Sequence, residues 1–372
     1  MADLLADELA ELRGLVGDQP ASWDLSGELP VELLRKLGAR GLLCAEVPAN
    51  YGGLGATSAD NGQFTAGVGA MCSSLRSVMT SHGIAAWTIQ RTGDREQRRR
   101  YLAELTSGQI AAVAFSEPGA GSDLSAMEAT ITPDGDTVVL NGHKKWITVA
   151  KYADVILVLA RYGEDAAFAV VPTDTPGVTV VPVPSPMGCR AAGHSDVHFD
   201  QVRLPVSAVL GGGGQSLPLL FTTALSYGRM SVAWGCLGIV RACLNAATAH
   251  ARNREQGGKR LAEHQLVAGH LADLVVAEQI SSRVCEHASR VWDAKSADMV
   301  ISAVTAKHVS AGQAAKAGAI AVQVLASAGA QDGHVVARAY RDAKLMEIIE
   351  GSNEICRLIL AEHALAVVPE SE

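Results

Sequence analysis

The first 110 residues place apolar side chains at helical spacing. Leu4, Leu5, Leu9, Leu12 and Leu15 recur every three or four positions and predict an amphipathic first helix. Proline is allowed in the first turn of a helix, so a second helix is predicted to begin at Pro30. The same spacing predicts further helices over 58–92 and 95–105, and a glycine-rich loop lies at 48–55. This part of the chain is therefore predicted to be helical.

After residue 110 the pattern changes to the alternation of apolar and polar residues that is typical of strands. The stretches that show it are 111–115, 129–132, 137–140, 145–148, 155–160, 167–171, 178–181, 197–199 and the region of Val202. Residues 133–136 predict one hairpin turn, and Asn141-Gly142 predicts a second, two-residue turn. Short strands without intervening helices predict a small β-barrel or sandwich.

Helical spacing returns after the four glycines 211–214, which are a candidate hinge. Alanine-rich sequence from 217 to about 365 predicts four or five long helices in an antiparallel bundle. The predicted fold class is mainly α with a central β domain. We place the domains at 1–110 (helical), 111–212 (β) and 213–372 (helical bundle).

The amino-acid composition and net charge indicate which classes of binding partner are disfavoured. Hydrophobic residues form 48% of the 372 residues, which is ample for buried cores, and the net charge is −8. That charge disfavours nucleic acid or an anionic membrane as the main partner, although arginines cluster at 95, 98, 99 and 100. A solvated helix face is the alternative interpretation of this cluster.

The absence of targeting and membrane-spanning features in the sequence, and the spacing of its cysteines, predict the location of the protein and its metal content. The chain shows no signal-peptide layout and no apolar run of membrane-spanning length, so a cytoplasmic location is predicted. The seven cysteines are scattered without CxxC pairs, which predicts small core residues and neither a disulfide framework nor a metal site.

Glu350 is the first candidate for chemistry. A helical run ends in two isoleucines before Glu350, Gly351 stops the helix, and Ser352 suits the cap of a new one. An acid held at such a break behind apolar residues is partly desolvated, which raises its pKa and suits it to accept a proton near neutral pH. A solvated acid at a helix end is the alternative, and this segment alone leaves both open.

Two loops outside the bundle could face a flat ring system. Residues 115–123 combine hydroxyls with closely spaced glycines after a strand, and such loops present backbone N–H groups to polar rings or pyrophosphate. Trp146 and Thr148 are expected on one face of a strand, where they could cover a ring and bond to it. A surface turn and a core tryptophan are the respective alternatives.

Taken in order, these segments resemble the acyl-CoA dehydrogenase superfamily of flavoproteins. The matching motifs, over about 28–366, are Tyr51-Gly-Gly-Leu-Gly, Ser116-Glu-Pro-Gly-Ala-Gly-Ser-Asp, Asn141-Gly-x-Lys-x-Trp-Ile-Thr and Arg341-Asp-Ala-Lys with Glu350-Gly-Ser. The resemblance implies a helical domain, a β-barrel and a four-helix bundle, with FAD between barrel and bundle.

The resemblance also implies residue roles. The residues it assigns to FAD are Phe115, Ser116, Ser122, Trp146, Thr148, Ser352 and Glu354, with Arg254, Gln265 and Gln323 reaching the FAD of a neighbouring subunit. Those last three imply a homo-oligomer, either a dimer or a tetramer. Glu350 matches the catalytic base, and the residues on the substrate side are Ser122, Ser226, Arg229 and Gly351. Some branches carry the base immediately before the bundle arginine, but that residue is Gly228 here, so only Glu350 can serve.

Three departures from the family pattern refine the expectation. Gly257 replaces a phenylalanine, Ala326-Ser327 replaces a glycine pair, and Ser226 replaces an acid that often contacts the CoA arm. The first two put contacts to the second FAD in doubt, and the third puts CoA in doubt. The chain, short for the family, resembles the dehydrogenase-like enzymes of methoxymalonyl-type extender-unit pathways, which act on hydroxyacyl groups on an acyl carrier protein.

The activity predicted from this resemblance is FAD-dependent dehydrogenation of an acyl thioester. The alternatives are a catabolic short-chain acyl-CoA dehydrogenase, a flavin monooxygenase on the same fold, and a non-catalytic protein that has kept the fold. The acyl group and the electron acceptor stay open.

Overall fold

The computed structural model describes residues 2–367, beginning with six helices. These are α1 (Ala2–Val16), α2 (Gln19–Ser26), α3 (Val31–Ala39), α4 (Ser58–Met71), α5 (Ser73–Thr92) and α6 (Arg95–Thr106). The last begins with a capping box, in which Asp94 accepts from the Gln97 N–H and Gln97 accepts from the Asp94 N–H. The predicted helical character of this part is confirmed.

Two details of the helical prediction are wrong. Pro30 caps the third helix, because a short helix with Pro20 in its first turn precedes it. The single helix expected over 58–92 is two helices, since Cys72 adopts extended backbone with φ −157°. The Cys72 thiol then accepts from the Leu75 N–H and caps α5. Periodicity runs through this break because both helices are buried on nearly every side.

The central domain is one curled sheet of seven strands. Its members are β1 (Ala111–Ala114), β2 (Thr130–Asp134), β3 (Thr137–Ile147), β4 (Val155–Tyr162), β5 (Asp165–Pro172), β6 (Val178–Pro182) and β7 (Ser195–Pro205). The order is β1-β4-β2-β3-β7-β6, and β5 pairs with the other edge of β4. The fold class, helical domains flanking a β domain, is confirmed.

The turn predicted at Asn141-Gly142 does not form. β3 continues through both residues with a bulge against β7, and the Asn141 side chain accepts from the Gln201 N–H. A Cβ at Gly142 would lie 2.5 Å from that of Ala129, so close strand packing requires this glycine. The strands expected at 197–199 and near Val202 are likewise one strand, β7.

Up to residue 367 the C-terminal part contains five helices, within the predicted number of four or five. They are α7 (Leu217–Asn253), α8 (Gln265–Asp293), α9 (Met299–Leu325), α10 (Val335–Met346) and α11 (Asn353–Val367), with a small hairpin of β8 (Glu255–Gln256) and β9 (Lys259–Arg260) after α7. The four glycines before α7 all have positive φ between 61° and 79°. The domain boundaries at 110 and 212 stay predictions.

α7 is the central helix of the bundle. By length and composition it could cross a membrane, so the expectation that no run reaches that length is wrong. Its most apolar window is 72% buried inside the protein, because the helix packs against α4, α5, α8 and α9. The seven cysteines are free and buried, which confirms them as core residues.

Candidate active site

Glu350 lies in a turn between two helices, away from the end of the helical run. α10 ends at Met346, and Glu350 and Gly351 both have positive φ, 55° and 83°. Left-handed backbone is unfavourable for a residue with a Cβ, so this turn needs support. Ser352 then accepts from the Ile355 N–H, which confirms its predicted capping role for α11.

Two buried cations hold this turn. Arg229 Nε, from α7, donates to the Glu350 carbonyl at 3.1 Å. Lys307 Nζ, from α9, donates to the Gly351 carbonyl at 2.8 Å and to Asn353 Oδ1 at 3.3 Å. Arg229 was predicted on the substrate side, and its observed contact is with the backbone that carries the acid.

The Glu350 carboxylate points into the protein. Its Oε2 is buried and has no hydrogen-bond partner in the part of the chain that the structure describes. A Cβ at Gly228 would collide with Oε2 and lie 2.6 Å from Cδ, so this glycine makes room for the acid. Ile348 does not desolvate the carboxylate as predicted, because it is 54% exposed, whereas Ile349 is half-buried and packs against the core of the bundle. The carboxylate itself lies against Gly228 of α7.

Burial raises the pKa of Glu350 to about 7, against the lowering effect of the nearby charges of Arg229, Lys307 and Arg76. The carboxylate is therefore neutral in acid and becomes a base as pH rises through about 7. For the flavin-linked reaction that the resemblance implies, we expect the rate of flavin reduction at low substrate concentration to rise about tenfold per pH unit below 7 and to level off above it. Stopped-flow reduction between pH 5.5 and 9 measures this. A flat profile would contradict proton transfer to Glu350.

The raised pKa of Glu350 also makes the stability of the folded protein depend on pH. Because the folded pKa lies above the usual value, the protonated carboxyl favours the folded state at acid pH. That contribution is lost as pH rises through about 7.

Trp146 presents a large aromatic surface near the end of β3. Trp146 is 51% exposed. Its backbone has φ 57°, and this conformation is stabilised by the hydrogen bond that its N–H donates to Asp196 Oδ1 at 3.1 Å. Thr148 follows beyond the end of the strand, so the two residues do not share one regular strand face as predicted. An exposed indole on an otherwise packed domain is a surface that another ring can cover.

His194 lies behind Thr148 and was not found from the sequence. Its Nδ1 is 3.2 Å from Thr148 Oγ1, and its ring centre is 5.8 Å from that of Trp146. Burial lowers the pKa of His194 to about 4, so the imidazole is neutral at physiological pH. The histidine fixes the hydroxyl of Thr148 without placing a charge beside it.

The loop after β1 is fixed by a buried ion pair. Lys144 Nζ is 2.7 Å from Glu117 Oε1 and also donates to the Phe115 carbonyl at 3.0 Å. Glu117 additionally accepts from the backbone N–H groups of Glu128 and Ala129. This ion pair joins the loop 115–123, which contains Glu117, to the segment 141–148, which contains Lys144. The sequence analysis did not predict the pair, because contact between the two segments depends on the tertiary fold.

The loop and β3 together fit a flavin. Phe115, Ser116 and Thr148 are half-buried, and Cβ atoms at Gly119 and Gly121 would meet nothing within 4 Å. A flat ring can therefore approach the loop backbone and rest against Trp146, with hydroxyls at its edge. Ser122 is exposed on the same loop.

Other assigned residues are placed as follows. Ser226 is buried, and its hydroxyl donates to the Thr222 carbonyl one turn earlier in α7. Glu354 is exposed in the first turn of α11, where the helix dipole favours an acid. Within the described residues, no acceptor is paired with the Glu350 N–H, so it is available to a substrate oxygen.

Three residues predicted to reach a second FAD lie at the far end of the bundle. Arg254 ends α7, Gln265 begins α8, and Gln323 is near the end of α9, and all three are exposed. The 25 residues from Arg229 to Arg254 correspond to about 37 Å of helix. Arg254, Gln265 and Gln323 therefore form a surface that is separate from the site around Arg229 and Glu350.

Family models match nearly the whole chain. They are the N-terminal domain of acyl-CoA dehydrogenase over 8–109, the middle domain over 112–202 and the C-terminal domain over 219–365.

Individual proteins agree with these matches. The probable acyl-CoA dehydrogenase YngJ of Bacillus subtilis is 32% identical over 350 residues, covering 92% of each chain. Human mitochondrial short-chain specific acyl-CoA dehydrogenase is 31% identical, covering 90% of this chain and 83% of that protein. The solved structure of FkbI, for biosynthesis of the methoxymalonyl extender unit of the Fk520 polyketide, is 62% identical, covers 97% of this chain and 99% of its own, and superposes with TM-score 0.93.

Proposed function

Because the chain belongs to the acyl-CoA dehydrogenase family of FAD-dependent oxidoreductases, we propose that it oxidises a small hydroxyacyl group carried as a thioester on an acyl carrier protein. The step belongs to the supply of a methoxymalonyl-type extender unit in polyketide biosynthesis. The observation that carries this proposal is the 62% identity to FkbI over 97% of the chain.

The residues of this chain divide the work as follows. Glu350 accepts a proton from the substrate, from Cα in a desaturation or from the C3 oxygen in the oxidation of an alcohol or aldehyde hydrate. In a desaturation its free N–H donates to the thioester carbonyl and stabilises the negative charge that develops there, whereas in an oxidation at C3 the same hydrogen bond positions the acyl group. Arg229 and Lys307 hold the turn so that both groups keep their positions. FAD, when bound, supplies the hydride acceptor.

Two basic surfaces are candidates for docking an acidic carrier protein. Lys259 and Arg260 form β9, at the far end of the bundle with Arg254. The other, which we call the α6 basic surface, consists of Arg95, Arg98, Arg99 and Arg100.

The α6 basic surface is linked to the part of α7 that carries the substrate-side residues through the end of α5, against which α6 packs. Near that end of α5, Trp87 Nε1 donates to the Thr223 carbonyl, one turn before Ser226, and the Trp87 ring centre lies 5.1 Å from the Arg91 guanidinium. We therefore propose the α6 basic surface, and not the β9 pair, as the carrier contact.

The test compares one hydroxyacyl group on the carrier protein and on CoA. We expect faster flavin reduction by the carrier-bound substrate, and a selective loss of that rate as salt rises from 0.05 to 0.5 M, because exposed charges are screened within about 10 Å at 0.1 M. The double variant Arg95→Glu/Arg99→Glu should lower kcat/KM for the carrier substrate about tenfold, since it reverses part of the steering field. Stopped-flow reduction of the bound flavin measures all of these rates.

The matched control is Lys259→Glu/Arg260→Glu, which reverses as many charges at the far end and should leave the carrier rate near wild type. CoA thioesters should react equally with both variants. Equal or better rates with CoA, insensitive to salt, would return the protein to fatty acyl-CoA catabolism.

That catabolic activity, α,β-desaturation of a short acyl-CoA, is the second candidate. It is favoured by Glu350, whose placement suits removal of an α proton equally well, and by 31% identity to the human short-chain enzyme. For either activity we propose a cytoplasmic homo-oligomer, in which Arg254, Gln265 and Gln323 reach a neighbouring subunit. The electron acceptor stays open.

A further inference from the structure

β3 contains a bulge near its end, at the point where it passes Asp196 of β7. The register of the two strands shifts between Lys144 and Ile147 of β3. Two residues of β3, Lys145 and Trp146, therefore lie opposite the single residue Asp196. Bulges of this kind change the direction of a side chain, and they are frequent beside active sites.

The bulge determines which face of the sheet carries Trp146. Successive side chains of a regular strand point to opposite faces, so residue 146 would share the inner, core-packed face with Lys144. Lys144 and Ile147 are both buried although they are three positions apart, which shows that the alternation is interrupted between them. Trp146 lies inside the interruption, has positive φ and is exposed. The bulge therefore turns the indole to the outside of the sheet.

Both N–H groups of the bulge have acceptors outside the regular strand pairing. The Lys145 N–H donates to the Ser116 carbonyl at 2.8 Å, which joins the bulge to the loop 115–123. The Trp146 N–H donates to Asp196 Oδ1 at 3.1 Å. A hydrogen bond to a carboxylate is strong, and it supports a left-handed backbone that is unfavourable for a residue with a Cβ. The loop and the indole, the two surfaces that fit a flavin, are thus joined at this bulge.

The Asp196 carboxylate is held on its other oxygen as well. Oδ2 lies 3.5 Å from Lys145 Nζ and 3.8 Å from His143 Nε2, and the side chain is 23% exposed. The Lys145 ammonium therefore favours the rotamer in which the second oxygen, Oδ1, faces the Trp146 N–H.

We infer that Asp196 is a positioning residue for the flavin, because it holds the β3 bulge in the form that directs the Trp146 indole at the isoalloxazine ring. Without this hydrogen bond, residue 146 could return to ordinary strand backbone, and the indole would no longer face the ring. The inference requires that FAD binds against Trp146. It goes beyond the proposed function, since neither the acyl group nor its carrier enters it.

The decisive experiment measures bound flavin without substrate. An indole in contact with a flavin quenches its fluorescence by electron transfer, so the fluorescence lifetime of FAD in the loaded full-length protein reports the position of Trp146. We expect Asp196→Ala to lengthen this lifetime toward that of Trp146→Phe, in which the quencher is absent. It should also raise the Kd of FAD about 2- to 10-fold, the equivalent of one aromatic contact. Anisotropy decay separates bound from released FAD, and release on dilution gives the Kd.

Two further variants separate the position of the oxygen from its charge. Asp196→Asn keeps an oxygen for the Trp146 N–H and should retain the wild-type lifetime. Asp196→Glu keeps the charge but moves the oxygens by one methylene, so it should resemble Asp196→Ala. These two variants decide the question even if the alanine variant does not fold. The matched control is Asp200→Ala, which removes an exposed carboxylate from the same strand and should change neither quantity.

Three results would overturn the inference. The first is a wild-type lifetime and FAD affinity in Asp196→Ala and Asp196→Glu. The second is a lifetime that Asp196→Ala lengthens further in the Trp146→Phe background, since an effect transmitted through the indole vanishes when the indole is absent. The third is an asparagine variant that behaves like the alanine variant. No thioester is used, so failure of the carrier-protein reaction would overturn only the proposed function.

Discussion

Glu350→Gln is expected to lower flavin reduction by a thioester substrate about 10²–10⁴-fold, the usual contribution of a positioned base. The amide has the shape of the acid, and the space that Gly228 leaves accommodates it equally. Arg229 and Lys307 bond to the backbone of the turn and not to the carboxylate, so the turn should persist. Anaerobic stopped-flow reduction, together with flavin content and melting temperature, separates lost chemistry from lost structure.

The control is Glu362→Gln, an exposed acid on α11 outside the site, which should react at the wild-type rate. Near-normal flavin reduction in Glu350→Gln would show that another group takes the proton. Loss of flavin from the variant would show a structural role for the acid.

Lys144→Met is expected to reduce the free energy of unfolding by about 3–5 kcal/mol, because it leaves the Glu117 carboxylate buried without its cation. The variant should also retain less flavin, since Lys144 bonds to the Phe115 carbonyl in the loop assigned to the ring. Urea unfolding monitored by far-UV circular dichroism gives the first quantity, and visible absorbance per protein gives the second.

A second substitution tests whether the unpaired Glu117 carboxylate causes the loss of stability. Glu117→Gln in the Lys144→Met background removes the stranded charge while leaving an oxygen for the N–H groups of Glu128 and Ala129, so part of the stability should return. Lys36→Met, at an exposed ion pair with Glu11, should change stability little. If Lys144→Met lowers the free energy of unfolding no more than Lys36→Met does, the buried ion pair does not stabilise the fold.

The sequence predicted the order of helical, β and helical segments because periodicity reports which faces of each element are buried. It failed where both faces are buried or where contacts are distant. The break at Cys72 separates two helices that are buried on nearly every side, and Asn141-Gly142 continues a strand because Ala129 packs against the glycine. Turn propensity is local, whereas that packing is not.

The site was predicted unevenly for the same reason. Glu350 lies at a visible helix break, but α7, against which its carboxylate is buried, is distant in sequence. His194 carried no motif, so only the structure places it against Thr148.

The glycine at 228 also limits how this active site could evolve. A Cβ at position 228 would lie 2.6 Å from the Glu350 Cδ, so a larger residue there would displace the carboxylate unless the turn that carries it moved as well. Substitutions at positions 228 and 350 are therefore coupled, and the order in which they arise decides whether an intermediate sequence keeps its acid in place.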